Sequence, residues 1–163
     1  MRRAAAGALE RRAGELLRRL VDRISHRSGA ALAAMAEAEV TLPQLLLLAR
    51  VERLAPATPS ALAEASGASL PAASQMIERL VRQGLLVRAE DPGDRRRRAL
   101  AVTPRGRRLL AQVAAARAAE YGESLAGLPP ALLRALADAL APILERIDPV
   151  ASAGEPRYLS RPP

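Results

Sequence analysis

The residues with the most pointed chemistry in this sequence are four consecutive arginines, Arg95 to Arg98, and, before them, a helical stretch carrying Ser74, Gln75 and Arg79. An arginine guanidinium keeps its charge at any physiological pH and offers planar, forked donors that match phosphate oxygens and guanine edges. A glutamine amide can donate to and accept from adenine in a bidentate pair, and a serine hydroxyl can bond to a base or a phosphate. Together these types suit a grip on duplex DNA. Each has a plainer reading, Gln75 as a solvated helix residue and the arginine run as a soluble loop, and the elements around them bear on the choice.

Two short helices and a hairpin have to position these residues. Pro59 and Ser60 are start signals for a helix to about Ala65 with Leu62 and Ala63 facing inward, and Gly67 ends it. Gly67-Ala68-Ser69 is a glycine-containing turn of the length that joins the helices of a helix-turn-helix. Ser69 caps the second helix, and Pro71 lies in its first turn, where a missing N–H costs nothing. Met76, Ile77, Leu80 and Val81 recur at helical spacing and bury one face, which leaves Ala72, Ala73, Ser74, Gln75 and Arg79 on or near the other. In a helix-turn-helix the second helix enters the major groove with its first turn closest to the bases. Ala72 and Ala73 could there touch a thymine methyl, and Arg79, one turn on, holds the backbone. Gly84 stops the helix. Leu85-Leu86-Val87 and Ala99 to Val102 read as paired strands around Asp91-Pro92-Gly93-Asp94, strong turn chemistry that puts Arg95 to Arg98 at or just after a hairpin tip. The order is that of a winged helix-turn-helix.

The flanks read as helices. From Leu9 the apolar set Leu9, Ala13, Leu16, Leu17, Leu20, Ile24, Ala31 and Met35 keeps helical spacing, which predicts one long helix to about residue 36, with Ser28-Gly29 as the place for a bend. Residues 1 to 8 form a short basic arm that could fray. Thr41 caps a helix from Pro43 to about Leu54, in which Leu45 to Leu48 is apolar on nearly every face and is expected at the centre. After the wing, Thr103-Pro104 opens a helix to about Ser124, and Gly127-Leu128-Pro129-Pro130 breaks it. A last helix carries Leu132, Leu133, Leu136, Leu140, Ile143, Leu144 and Ile147, with Pro142 as a kink. The first helix has nothing local to pack on, so its stripe must meet the last two helices, a second copy, or both. The tail from 148 to 163, rich in Pro, Gly and Ser, is expected to be disordered or loosely draped.

Composition narrows the function classes. The chain of 163 residues is half apolar, with 25 basic and 17 acidic residues and a net charge of +8, and every basic residue is arginine. That length suits one domain, or one domain plus a dimerisation extension, and the charge favours nucleic acid as partner. The absence of lysine alongside abundant Ala, Arg, Gly and Pro fits a GC-rich genome equally well. Zero cysteine excludes disulfides, thiolate metal sites and cysteine redox sensing. One histidine, no glycine-rich phosphate loop and no close-set acidic motif leave no constellation for catalysis, so no enzyme, metal or cofactor is expected. No apolar run approaches the roughly 18 residues a membrane helix needs, and Glu10 and Glu15 stand where a signal peptide would be apolar, which points to the cytoplasm.

The run Leu80-Val81-Arg82-Gln83-Gly84-Leu85-Leu86, then Asp94-Arg95-Arg96, then Val102-Thr103-Pro104-Arg105-Gly106, preceded by Val40 to Leu45 and Ser60 to Glu64, resembles the multiple antibiotic resistance regulator (MarR) family of bacterial transcription factors. The resemblance runs over residues 9 to 147. It implies a mainly α fold, a winged helix-turn-helix with a small β-hairpin wing, plus N- and C-terminal helices forming a dimerisation region. In that division one domain spans 1–147, with dimerisation helices in 9–36 and 104–147 and a DNA-binding lobe in 41–103. By the same resemblance Asp94 and Arg96 shape the wing, Arg95 and Arg97 contact DNA, and Arg98 is open between the two roles. The DNA-contacting set is then Ser69, Ala72, Ala73, Ser74, Gln75, Arg79 and these wing arginines. The implied function is a sequence-specific regulator, a ligand-responsive repressor that binds a pseudo-palindromic operator on double-stranded DNA as a homodimer. Arg23, His26 and Arg27 could hold a small anionic or phenolic effector, or His26 is a surface or interface residue. The rival readings are a non-specific architectural DNA-binding protein and a winged-helix protein-interaction module.

Overall fold

The computed structural model describes residues 2–25, 29–54, 57–90 and 98–147, with the backbone alone at 2–6, 89–90 and 98. Within them the order is α1 (Arg2–Ile24), α2 (Gly29–Glu37), α3 (Leu42–Leu54), α4 (Pro59–Ser66), α5 (Leu70–Arg82), β1 (Leu86–Glu90), β2 (Arg98–Val102), α6 (Pro104–Leu125) and α7 (Pro130–Ile147). The mainly helical, winged helix-turn-helix architecture expected from the sequence is the one observed. The turn at Asp91–Asp94, the run Arg95–Arg97 and the tail 148–163 lie outside the described residues.

The core gathers around α3. Leu47, Leu48 and Val51 are buried there against Leu62 of α4, Ile77 and Leu80 of α5, Leu85 and Leu86 at the start of the wing, and Leu109, Leu110 and Val113 of α6. Ala31 and Met35 bring α2 into the same cluster. Gln44, itself 5% exposed, accepts from the Thr41 N–H at 2.9 Å and from its hydroxyl at 3.1 Å, so the start of α3 is closed by its own third residue. Leu46 departs from expectation: it is 55% exposed. A helix presents only part of its circumference inward, so four successive leucines cannot all enter one core.

The wing is a two-stranded antiparallel sheet with Leu86 opposite Val102 and Glu90 opposite Arg98. Its base is tied down on a second side, where the Leu100 N–H donates to the Ala57 carbonyl at 2.9 Å. No single helix among the described residues is long and apolar enough to cross a membrane; α2 and α3 pass that test only as a pair bent by 83°, and both belong to the core.

The helix expected over 9–36, with Ser28-Gly29 as the place for a bend, is two helices, α1 and α2, the second starting at Gly29, and α1 begins at Arg2 rather than near Leu9. At the start of α2 the N–H groups of Ala30 and Ala31, which a continuous helix would bond internally, donate to Glu120 of α6. The last helix, for its part, buries none of its residues: Leu132, Ile143, Leu144 and Ile147 are 57%, 48%, 60% and 75% exposed.

Candidate nucleic-acid interface

The geometry of the helix-turn-helix is set by its caps. Thr58 closes the start of α4 by accepting from the Ala61 N–H at 3.3 Å, one residue earlier than the Pro59-Ser60 signal suggested. At the other end Gly67 is left-handed, φ 65°, and the N–H groups of Ala68 and Gly67 return to the carbonyls of Ala63 and Glu64, both at 3.2 Å. This pair of bonds turns the chain sharply and satisfies two carbonyls at the helix end; a residue with a Cβ is strained in that conformation. Two residues later Ser69 caps α5, its hydroxyl oxygen 3.4 Å from the Ala72 N–H, with Pro71 in the first turn. Helix, turn and second helix are therefore each written locally.

α5 has two distinct faces. Ala73, Ile77 and Leu80 are 0%, 1% and 0% exposed and enter the core at i, i+4 and i+7. Ala72, Gln75, Glu78, Arg79 and Arg82 are exposed on the other side, and Ser74 is half-buried between. Ala73 is thus a correction: it was expected on the DNA-facing side, and it is a core residue. The stripe of Met76, Ile77, Leu80 and Val81 did not fix the rotational phase of the first turn, where Ala73, at i−4 from Ile77, turns inward. Arg82 was missed. Its spacing from Gln75 and Arg79, seven and three residues, is the signal that places it on the same stripe.

The end of α5 carries the wing and α6. Gly84, φ 69°, repeats the turn seen at Gly67, with the Leu85 N–H on the Leu80 carbonyl at 2.9 Å. The Thr103 hydroxyl donates to the Gly84 carbonyl at 2.7 Å and accepts from the Gly106 N–H at 3.1 Å, so one side chain joins the end of α5 to the start of α6. Gly106 packs so closely that a Cβ there would lie 2.4 Å from the Leu85 carbonyl oxygen. Arg107 adds an ion pair to Glu52 of α3 at 3.0 Å. These contacts fix the wing strands relative to α5. Arg88 of β1 is an exposed cation on the wing, which the sequence reading had not singled out.

Asp94, Arg95, Arg96 and Arg97 lie outside the described residues, and Arg98 is described as backbone only, opposite Glu90. His26 and Arg27 also lie outside them. Arg23 is exposed on α1, where it lines an open groove of about 470 Å³ with Leu16, Arg19, Leu20 and Asp22. A second cleft, about 340 Å³, opens between α2, Leu85 and α6; Glu37 faces Arg105, Arg108 and Gln112 across it, over a floor that includes Ala34 and Leu109. No group of three or more His, Asp or Glu side chains that could hold a metal occurs among the described residues.

The MarR-family pattern matches residues 38–97, the segment from the end of α2 into the wing. The fold extends that likeness over most of the chain. YusO protein from Bacillus subtilis is 26% identical, with 86% of this chain and 97% of that one covered and a TM-score of 0.61. RV1404 from Mycobacterium tuberculosis is 27% identical over 93% of this chain and 95% of its own, with a TM-score of 0.64. A point mutant of S. aureus MepR, whose structure was solved bound to an oligodeoxyribonucleotide, shares the fold at 18% identity, 83% and 97% coverage and a TM-score of 0.59. Among curated proteins no sequence matches. Residues 38–97 are thus similar to the MarR family pattern, and the chain shares the winged-helix fold of these solved structures.

Proposed function

We propose that the protein is a sequence-specific DNA-binding transcriptional regulator that works as a homodimer on a pseudo-palindromic operator. The observation that carries this reading is the division of α5: one face is wholly core, and the other presents Ala72, Gln75, Arg79 and Arg82 to solvent from a helix whose start is held by Gly67 and Ser69. Gln75, with Ala72 and the half-buried Ser74, reads base edges; Ser69, Arg79 and Arg82 hold phosphates; Arg95, Arg97 and Arg98 reach DNA from a wing shaped by Asp94 and Arg96. Residues 41–103 make the reading lobe of a single domain, 1–147, and the helices within 9–36 and 104–147 the dimerisation region. Exposed leucines on α1 and α7 support the dimer, because apolar side chains left open to solvent on two helices are satisfied by burial against a second copy.

Repression follows if a bound dimer blocks a promoter, and response to a ligand follows if that ligand prefers one spacing of the reading lobes. An anionic or phenolic effector suits either Arg23 with His26 and Arg27, or the cleft at Arg105, Arg108 and Gln112, which is lined by α2, α6 and Leu85 at the start of the wing. A regulator of this kind acts in the cytoplasm, needs no cofactor and catalyses nothing.

The test is fluorescence anisotropy with the DNA beside the protein's own gene and with random duplex of equal length, at two salt concentrations. The expected result is a large preference for the first and a fall in affinity of about a thousandfold or more between 50 and 200 mM salt. Equal binding to both favours an architectural role. No binding to either at low salt overturns the DNA reading and favours a protein partner.

A further inference from the structure

The start of α2 is capped from the far side of the chain. Oε1 of Glu120, on α6, accepts from the backbone N–H of Ala30 at 2.9 Å and of Ala31 at 3.1 Å. No acidic residue lies in the first turn of α2 itself. Glu120 is 5% exposed, its Oε2 is shielded and without a hydrogen bond, and Arg117 Nη1 lies 3.9 Å from that oxygen. A carboxyl group held this way gains from the positive end of the α2 dipole as well as from two donors.

If α1 ran unbroken into α2, the N–H groups of Ala30 and Ala31 would donate to carbonyls four residues earlier, at positions 26 and 27. Both oxygens of Glu120 would then be buried without a donor, which costs more than an ordinary lost hydrogen bond. The broken and continuous forms of this segment therefore differ in whether Glu120 is satisfied. α2 is part of the core through Ala31, Ala34 and Met35, whereas α1 carries exposed Leu9, Leu16, Leu17 and Val21. α1 also packs against α6, so the way α2 is held beside α6 bears on where the exposed leucines of α1 lie.

From this we infer that Glu120 is a positioning residue for DNA binding: it holds the α1–α2 break and thereby sets where the dimerising arm lies relative to the reading lobe. Its effect on DNA rests on the dimeric regulator proposed above; its effect on the arm does not.

The full-length chain, which has no cysteine, is labelled at Arg12→Cys on α1 and Glu64→Cys on α4, both exposed, and diluted into an excess of unlabelled chain. The distance between labels is measured by electron spin resonance in the native background, in Glu120→Leu and in Glu120→Gln. Amide exchange at Ala30 and Ala31 is followed alongside, together with affinity for the two-half-site operator and for an isolated half-site. In Glu120→Leu the label distance changes and both amides exchange faster. Affinity for the full operator falls roughly tenfold, while that for the half-site stays within about twofold. Glu120→Gln, which keeps an acceptor oxygen, returns all of these towards the native values. Should the leucine variant fail to fold, Glu120→Ala makes the same comparison. An unchanged label distance overturns the inference whether or not the protein binds DNA. So does an equal loss on half-site and full operator, the mark of general damage to the fold. If the native chain binds no duplex while the distance moves as expected, the regulator reading falls and the arm's dependence on Glu120 is upheld.

Discussion

Helices α5 and α7 are both amphipathic and both leucine-bearing, yet α5 seats Ala73, Ile77 and Leu80 in the core while α7 buries nothing. The difference lies in what surrounds them. α5 is enclosed by α3, α4 and the wing within one chain, so its inner face is complete and its outer face is free for a ligand. α7 presents Leu132, Leu133, Leu140, Ile143 and Leu144 to solvent at 36% or more. A finished face and an unfinished one, in a single chain, are what the proposed DNA-reading helix and the proposed subunit contact each require.

The sharpest way to break that comparison is to truncate one leucine on each helix. Leu80→Ala, at a site fully buried in the monomer, lowers unfolding free energy by about 2–5 kcal/mol at every protein concentration. Leu144→Ala, 60% exposed, leaves the dilute chain's stability nearly untouched and weakens self-association instead, so that its Tm deficit grows with concentration. Denaturation over a hundredfold range of concentration checks both, and a concentration-independent loss at Leu144 would remove the case for an interface on α7.

A second substitution tests whether the two regions are rigidly joined. Gly106→Ala sets a Cβ 2.4 Å from the Leu85 carbonyl, and either α6 or the wing has to move. The expected cost is about 1–3 kcal/mol by thermal unfolding, and an unchanged Tm would show that the α5–α6 joint yields easily. Gln75→Ala, on the open face of α5, should leave Tm as it is and lose about 1–3 kcal/mol of discrimination at one base pair, measured by competition among operator variants. A uniform loss across all variants would reassign Gln75 to the phosphates. Smallest is Ser69→Ala, which removes the α5 cap at a cost of about 1 kcal/mol; a larger drop in DNA affinity than in stability would show its hydroxyl contacting DNA as well.

Legibility followed distance along the chain. Gly67, Ser69, Gly84 and, in capping α6, Thr103 act on backbone groups a few residues away, and each had a sequence signal that the structure matches. The apolar stripe of α5 was readable too, but its phase at Ala73 was not: alanine is small enough for either face, and only packing against neighbouring elements chooses. Leu46 was misplaced for the converse reason, since hydrophobicity alone does not say which of four adjacent leucines turns outward. For the wing contacts Asp94 to Arg97 the sequence is the whole basis of the assignment.

Read by itself, the sequence determined the helical class, the order of elements, the caps and turns and the basic character, because each depends on residue type and local spacing. Tertiary structure alone decided the capping of α2 by Glu120, the burial of Ala73, the docking of Gly106 on Leu85 and the open face of α7. Each of those depends on groups far apart in the chain: Glu120 meets Ala30 across ninety residues, and no local pattern at either position marks the other as its partner.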